Sequence, residues 1–391
     1  MEQNNMKIRH FLSVIVPALL LPSMTSSLWI TDPVFDSHVR KGIDYVYNLS
    51  FDSARGEFQT VIHLKANHPA GYFFLAMVEW WRILIDIDNT AYDEKFYSML
   101  EKVIGLCDKR LDRDENDVTA LFFKGGAIGF RGRLRAHREE WFKAANDGRL
   151  ALPIVQQAYT LAPDNDDILL GIGIYNYYAE IIPQEYPFVK PFMLFFPKGD
   201  KQKGIEQLQR AAGRAKYADV EATYFLLQLF HNYEKDYVKA LPLAQKLHKK
   251  FPDNPLFHRY LGRSYAALGL WNEMKHEFED ILQRVQKKQL GYSLSAEREA
   301  EYYLGLHQMA FNQYETALKH FLRCDELSRA LDTDGPSGFM TMANLKMGMI
   351  FDLQTRRDIA VQQYKKVMQM DNYQDSRKIA EQYLNKPYGQ N

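Results

Sequence analysis

The chain has 391 residues, with 49 Lys+Arg balanced by 49 Asp+Glu and a formal net charge of zero at pH 7. That balance leaves no electrostatic footprint for nucleic acid, which is excluded as an expected partner, or for an anionic membrane over the whole chain. Two cysteines in such a length exclude a disulfide framework, whereas 14% aromatic residues, 24 of them Tyr, suit helix pairs that need large side chains between them.

Residues 1–26 read as a secretory signal peptide. Lys7 and Arg9 give a positive start, Phe11–Leu21 an apolar run, and Ser23–Ser27 a small-residue region for cleavage near residues 25–27. An uncleaved anchor is the alternative. On the first reading the mature protein is periplasmic or secreted. Residues 27–33 form a connector, and Asp32-Pro33 is a helix start.

Residues 34–214 read as divergent helix pairs: 34–47 with 51–66, 72–85 with 91–111, a helix at 117–130 with one anchored by Ala151, Val155 and Ala158, and 165–180 with 200–214. Gly125, Gly126, Gly129 and Gly132 lack the Lys-Ser or Lys-Thr of a phosphate loop, so close helix packing explains them. Two stretches look inserted. In 131–148, Arg131, Arg133, Arg135 and Arg138 stand beside Trp141; they either bind an acidic peptide or phosphate, or lie on a solvated helix with internal ion pairs. In 181–199, four prolines interrupt an apolar run carrying Phe188, Phe192, Phe195 and Phe196. This run either plugs the fold or offers an aromatic surface to a partner or bilayer. Both stretches fall in turns within consecutive pairs, which predicts that they sit side by side.

From 215 to 372 the pattern is regular. Gly305, Ala317, Phe321 and Cys324 mark one helix pair, in which the small residues let two backbones approach and the aromatic fills the space beside them. The same spacing recurs at Gly262 with Phe278, at Gly348 with Ala360 and Tyr364, and at Gly42 with Ala54 and Phe58. Residues 373–391 read as a polar capping helix and tail.

This spacing resembles the tetratricopeptide repeat (TPR) superfamily. The resemblance implies an all-α fold: a right-handed superhelical solenoid of about eight TPR-like helix pairs with a C-terminal capping helix. It further implies a concave groove, lined by the first helix of each pair, that binds a peptide or protein partner. On that pattern the groove exposes Tyr224, Gln228 and His231, then His258 and Arg263, then Tyr302, His307 and Gln308. The two-carboxylate clamp of chaperone-binding members is not recognisable.

No His-Glu-x-x-His, Gly-x-Ser-x-Gly, Cys-x-x-Cys or Walker loop occurs, so no enzyme, cofactor or metal is expected. Cys107 and Cys324 fall in distant pairs and read as free structural thiols. The expected function is a non-enzymatic interaction scaffold. The alternative is a peripheral envelope or membrane-associated assembly factor acting through 181–199.

Overall fold

The structure, a computed structural model, describes residues 32–390 apart from 186, 188, 189, 191–196 and 334. The expected signal peptide and Phe188, Phe192, Phe195 and Phe196 therefore lie outside the described residues. The described chain is all-α, a helical-repeat solenoid of eight helix pairs and a capping helix. The pairs are α1 (Pro33–Tyr47) with α2 (Phe51–Leu64), α3 (Pro69–Ile85) with α4 (Asp93–Leu111), α5 (Val118–His137) with α6 (Trp141–Leu161), and α7 (Leu169–Glu185) with α8 (Lys201–Arg214). They continue with α9 (Asp219–Gln228) and α10 (Tyr237–Lys250), α11 (Pro255–Ala267) and α12 (Trp271–Gln286), α13 (Leu294–Ala310) and α14 (Tyr314–Leu331), and α15 (Gly338–Leu353) and α16 (Arg357–Met368). The capping helix α17 is Ser376–Asn385.

Side-chain caps set several helix starts. Asp32, Asp117, Asp200, Asp236 and Asn254 each accept from backbone N–H groups in the first turn that follows. Within pairs, one contact recurs. A Cβ placed at Gly262, Gly305 or Gly348 would stand 2.9, 2.7 or 2.6 Å from the ring of Phe278, Phe321 or Tyr364, and Gly42 meets Phe58 in the same way. Only glycine leaves that space, so the aromatic ring of the second helix fits against the backbone of the first.

Residues 131–148 are not a separate insert. Helix α5 runs unbroken to His137 and α6 starts at Trp141, so the stretch belongs to two long helices. Pro153 sits deep inside α6 rather than in its first turn. It removes the bond to the Arg149 carbonyl, and Arg149 is exposed, so water can take that place. As expected from packing, Gly125 and Gly132 let α6 approach, with Val155 at 2.5 Å and Asp147 at 2.9 Å from an added Cβ; Gly129 faces open space.

The superhelix closes on itself. Asp36 of α1 accepts from the Tyr217 hydroxyl and pairs with Lys216 at 2.8 Å, across most of five helix pairs. The Asn254 amide donates to the Tyr47 carbonyl at 3.0 Å, and Tyr47 packs on Trp81, Phe251 and Phe257 with ring centroids 5.0, 5.2 and 6.3 Å apart. In consequence an extended core runs from Phe35 to Leu261, with a small one beside it at Leu121–Ile172, whereas the last pairs have only small cores such as Met274–Leu304 and Ala317–Ile350.

Fully buried Asn254 holds two ends of this closure, capping α11 and reaching Tyr47. Asn254→Ala is expected to cost about 1–3 kcal/mol, from the lost cap and the stranded carbonyl. Asn254→Asp keeps the cap but cannot donate and sets a buried carboxylate against the Tyr47 carbonyl, so its loss is an upper bound on the closing bond. Urea denaturation of the two variants checks both values; equal stability of Asn254→Asp and wild type would show that the bond contributes nothing.

Candidate functional site

Closure converts the groove of the first five pairs into a cavity of about 670 Å³ on the superhelix axis. Its walls come from α1, α3, α5, α6, α7 and α9 and are mainly aromatic and aliphatic: Phe73, Phe74, Met77, Phe130, Ile174, Tyr178 and Phe225 among them. Trp81 and Trp141 also line it, and Gly126 and Gly129 widen it where larger residues would intrude. This size and lining fit a small-molecule seat.

The charged groups in the wall are engaged. Arg133 pairs with Glu221 at 2.9 Å and lies over the rings of Trp80 and Phe225 at 4.8 and 4.3 Å. Glu221 also accepts from the Tyr47 hydroxyl at 3.3 Å, and Tyr47, buried beside that carboxylate, has its pKa pushed well above 10.0. Asp167 accepts from the backbone N–H groups of Tyr217 and Ala218, each at 2.8 Å. Burial, reinforced by Arg133 and Arg138, pushes His137 down to about 4 and leaves a neutral imidazole in the wall at pH 7. What remains is an apolar chamber with few uncommitted polar groups.

The other arginines of 131–148 are held by internal carboxylates. Arg131 and Arg135 meet fully buried Asp147 at 2.6 and 2.7 Å, and Arg138 pairs with Asp93 at 2.6 Å. Of the neighbouring stretch 181–199, Ile182 lines the same cavity as Gly132, Arg133 and Trp141.

The eight residues expected along the groove are dispersed. Tyr224 is buried against Trp81, Phe257 and Tyr260, and Gln228 lines the cavity. His231 packs on Tyr237 and Tyr260, and burial pushes it down to about 4. His258 is fully buried beside His248, and Arg263 is tied to Glu299. Tyr302 lies between Phe321 and Phe339, while His307 stacks on Phe311 at 4.6 Å. Gln308 is half-buried with an unpartnered Oε1. Sequence reasoning missed Tyr47 and Glu221. The available signal was a carboxylate, Glu221, inside a helix of otherwise apolar character.

Both cysteines are free and buried, as read from the sequence, and burial pushes each thiol up to about 12.

No protein-family model matches the chain, and no curated protein matches it in sequence. Among solved structures it is similar to a human IFIT1 dimer with PPP-AAAA, at 16% identity and TM-score 0.41, over 92% of this chain and 86% of that one. It is also similar to a human IFIT1 dimer with m7Gppp-AAAA, at 13% identity and TM-score 0.36, over 92% and 87% of the two chains. The exclusion of nucleic acid is corrected on this finding, because those helical proteins are described with oligonucleotides. The physical error lay in using a summed charge: a neutral total does not fix the field inside one groove. The class defined by the fold is a helical-repeat solenoid.

Glu299 offers a test of how the open half is held. It is fully buried on α13 between Arg259 and Arg263 of α11, with 2.5–2.6 Å contacts. Burial alone would raise its pKa, but the two guanidinium groups outweigh that and hold it at about 2, below the ordinary 4.5. A depressed carboxyl stabilises the fold above pH 4.5 and loses that contribution as pH falls towards 2. Glu299→Gln is expected to cost about 3–5 kcal/mol at pH 7 by stranding two arginines. It should also flatten the stability profile across that acid window, read from urea titrations at stepped pH. An unchanged profile would remove Glu299 as its source.

Proposed function

We propose that this chain is a non-enzymatic helical-repeat binding protein whose seat is the axial cavity and whose ligand is a long-chain acyl compound. The single observation that carries the reading is the apolar cavity of about 670 Å³. A peptide threaded there would bring N–H and C=O groups that each need a partner. Arg133, Glu221 and Asp167 are already committed, so a ligand without a backbone fits the wall better. The chamber is preformed by closure, which lowers the ordering cost of binding.

A second reading places a peptide or protein partner on the concave side of the later pairs. It is favoured by buried polar atoms that lack hydrogen-bond partners within the chain: both ring nitrogens of His307 and Gln308 Oε1 on α13, and His231 Nε2 just beyond α9. Display-selected peptides that bind wild type and lose about tenfold or more in His307→Ala/Gln308→Ala, a loss above ~1.4 kcal/mol, would support it. Equal binding by the variant would remove it. Among the described residues no helix is long and apolar enough to cross a membrane.

The cavity is tested by filling it. Gly129 lines it, and nothing lies within 4 Å of an added Cβ there. Gly129→Phe therefore projects a ring into the chamber while raising local helix propensity by roughly 0.3–0.5 kcal/mol. Brominated fatty acids should quench wild-type tryptophan emission through Trp81 and Trp141, and unlabelled fatty acid should reverse it. The folded variant is expected to bind at least about tenfold more weakly, since the ring takes the ligand's place. Equal quenching in both proteins, or none in wild type, overturns the acyl-ligand reading.

A further inference from the structure

Away from the cavity, three side chains on three successive helices converge. His248 closes α10, His258 lies on α11 and Glu277 on α12. The two imidazole rings stack with centroids 4.4 Å apart and planes inclined at 26°. Glu277 Oε2 stands 3.0 Å from His258 Nε2 and 3.9 Å from His248 Nε2. One ligating atom from each residue fits within 4.8 Å of the other two.

His258 is fully buried, yet its Nε2 makes no aligned hydrogen bond, although Glu277 is within reach. Its other nitrogen, Nδ1, meets the Tyr292 hydroxyl at 3.1 Å. That contact fixes the ring and leaves Nε2 facing the carboxylate, the arrangement seen when a second residue orients a metal-binding histidine. His248 Nδ1 is likewise buried without a partner. Two atoms bound to zinc at ~2.0–2.1 Å and a tetrahedral angle stand roughly 3.3 Å apart, a value bracketed by the two distances to Glu277.

We propose that His248, His258 and Glu277 form a binding site for a divalent transition ion of the zinc type. Two imidazoles and one carboxylate are a borderline donor set that suits Zn²⁺ and disfavours Mg²⁺ or Ca²⁺, which require oxygen ligands. Asp280 Oδ2 is 3.9 Å from His258 Nε2, but Arg284 holds it at 2.6 Å, so Asp280 stays with its guanidinium and water completes the ion's shell. The residues lie on separate helices, which is why no linear motif announces them. An ion here would staple the second helix of the fifth pair to both helices of the sixth.

The test uses the full chain, freed of metal by a chelator, titrated with Zn²⁺ by calorimetry and with Co²⁺ by visible absorption. The expected result is one equivalent bound, a tetrahedral Co²⁺ spectrum and a raised thermal midpoint. Glu277→Gln and His248→Ala, each checked by circular dichroism, should lose that equivalent, and Tyr292→Phe should weaken it roughly tenfold by freeing the His258 ring. If His248→Ala does not fold, Glu277→Gln and Tyr292→Phe still decide. No binding by wild type, or undiminished binding by the folded variants, overturns the site.

Discussion

The structure depends on one aromatic contact between distant repeats. Tyr47, at the end of the first helix, meets Trp81 of the second pair and Phe251 and Phe257 at the sixth. A solenoid ordinarily needs only contacts between neighbours, so its ends are free to splay. Here burying large rings on the axis contributes about 1.5–3 kcal/mol each and draws the first pair onto the fifth and sixth. The polar closing contacts, Asp36 with Tyr217 and Asn254 with the Tyr47 carbonyl, then fix the register of that approach. One half of the molecule becomes a body with one extended core and a small one beside it at Leu121–Ile172, and the other remains a row of nearest-neighbour packings.

This division explains what was legible in the sequence. The repeat was legible because the glycine and the ring that meets it lie in one helix pair, and pairs such as Gly305 with Phe321 recur at constant spacing. Closure was not legible, because a helical period says that a residue is buried but not against what. Tyr224 illustrates the loss. It occupies a first-helix position that faces solvent in an open groove, yet Trp81, from a pair far upstream, covers it. Likewise Arg133 reads as one of four basic residues on a surface segment, and only the folded chain shows Glu221 beside it. The run from 131 to 148 looked inserted because the first helix was read as ending at 130 and the second was anchored only from Ala151, whereas α5 and α6 are simply long.

Charge follows the same logic. Many of the acids and bases pair inside the fold, as at Asp147 between Arg131 and Arg135 and at Glu299 between Arg259 and Arg263. Removing one member leaves a buried charge without its partner, so each such cluster fixes helix orientation more than it adds net stability. Arg133 also carries this role into the cavity, where its guanidinium lies against Trp80 and Phe225 and narrows the polar part of the wall.

The two halves meet at the turn between α10 and α11. Within that turn Phe251 packs on Tyr47 and Asn254 bonds to its carbonyl, while His248 and His258 flank it on either side. Any group that binds both histidines restrains the turn, and the turn is what presents Phe251 and Asn254 to the first helix. Glu277 adds the next helix to the same junction. The closure that shapes the cavity and the histidine cluster outside it therefore share one short segment of backbone. Energetic coupling between them requires no long pathway, only that this turn hold its shape.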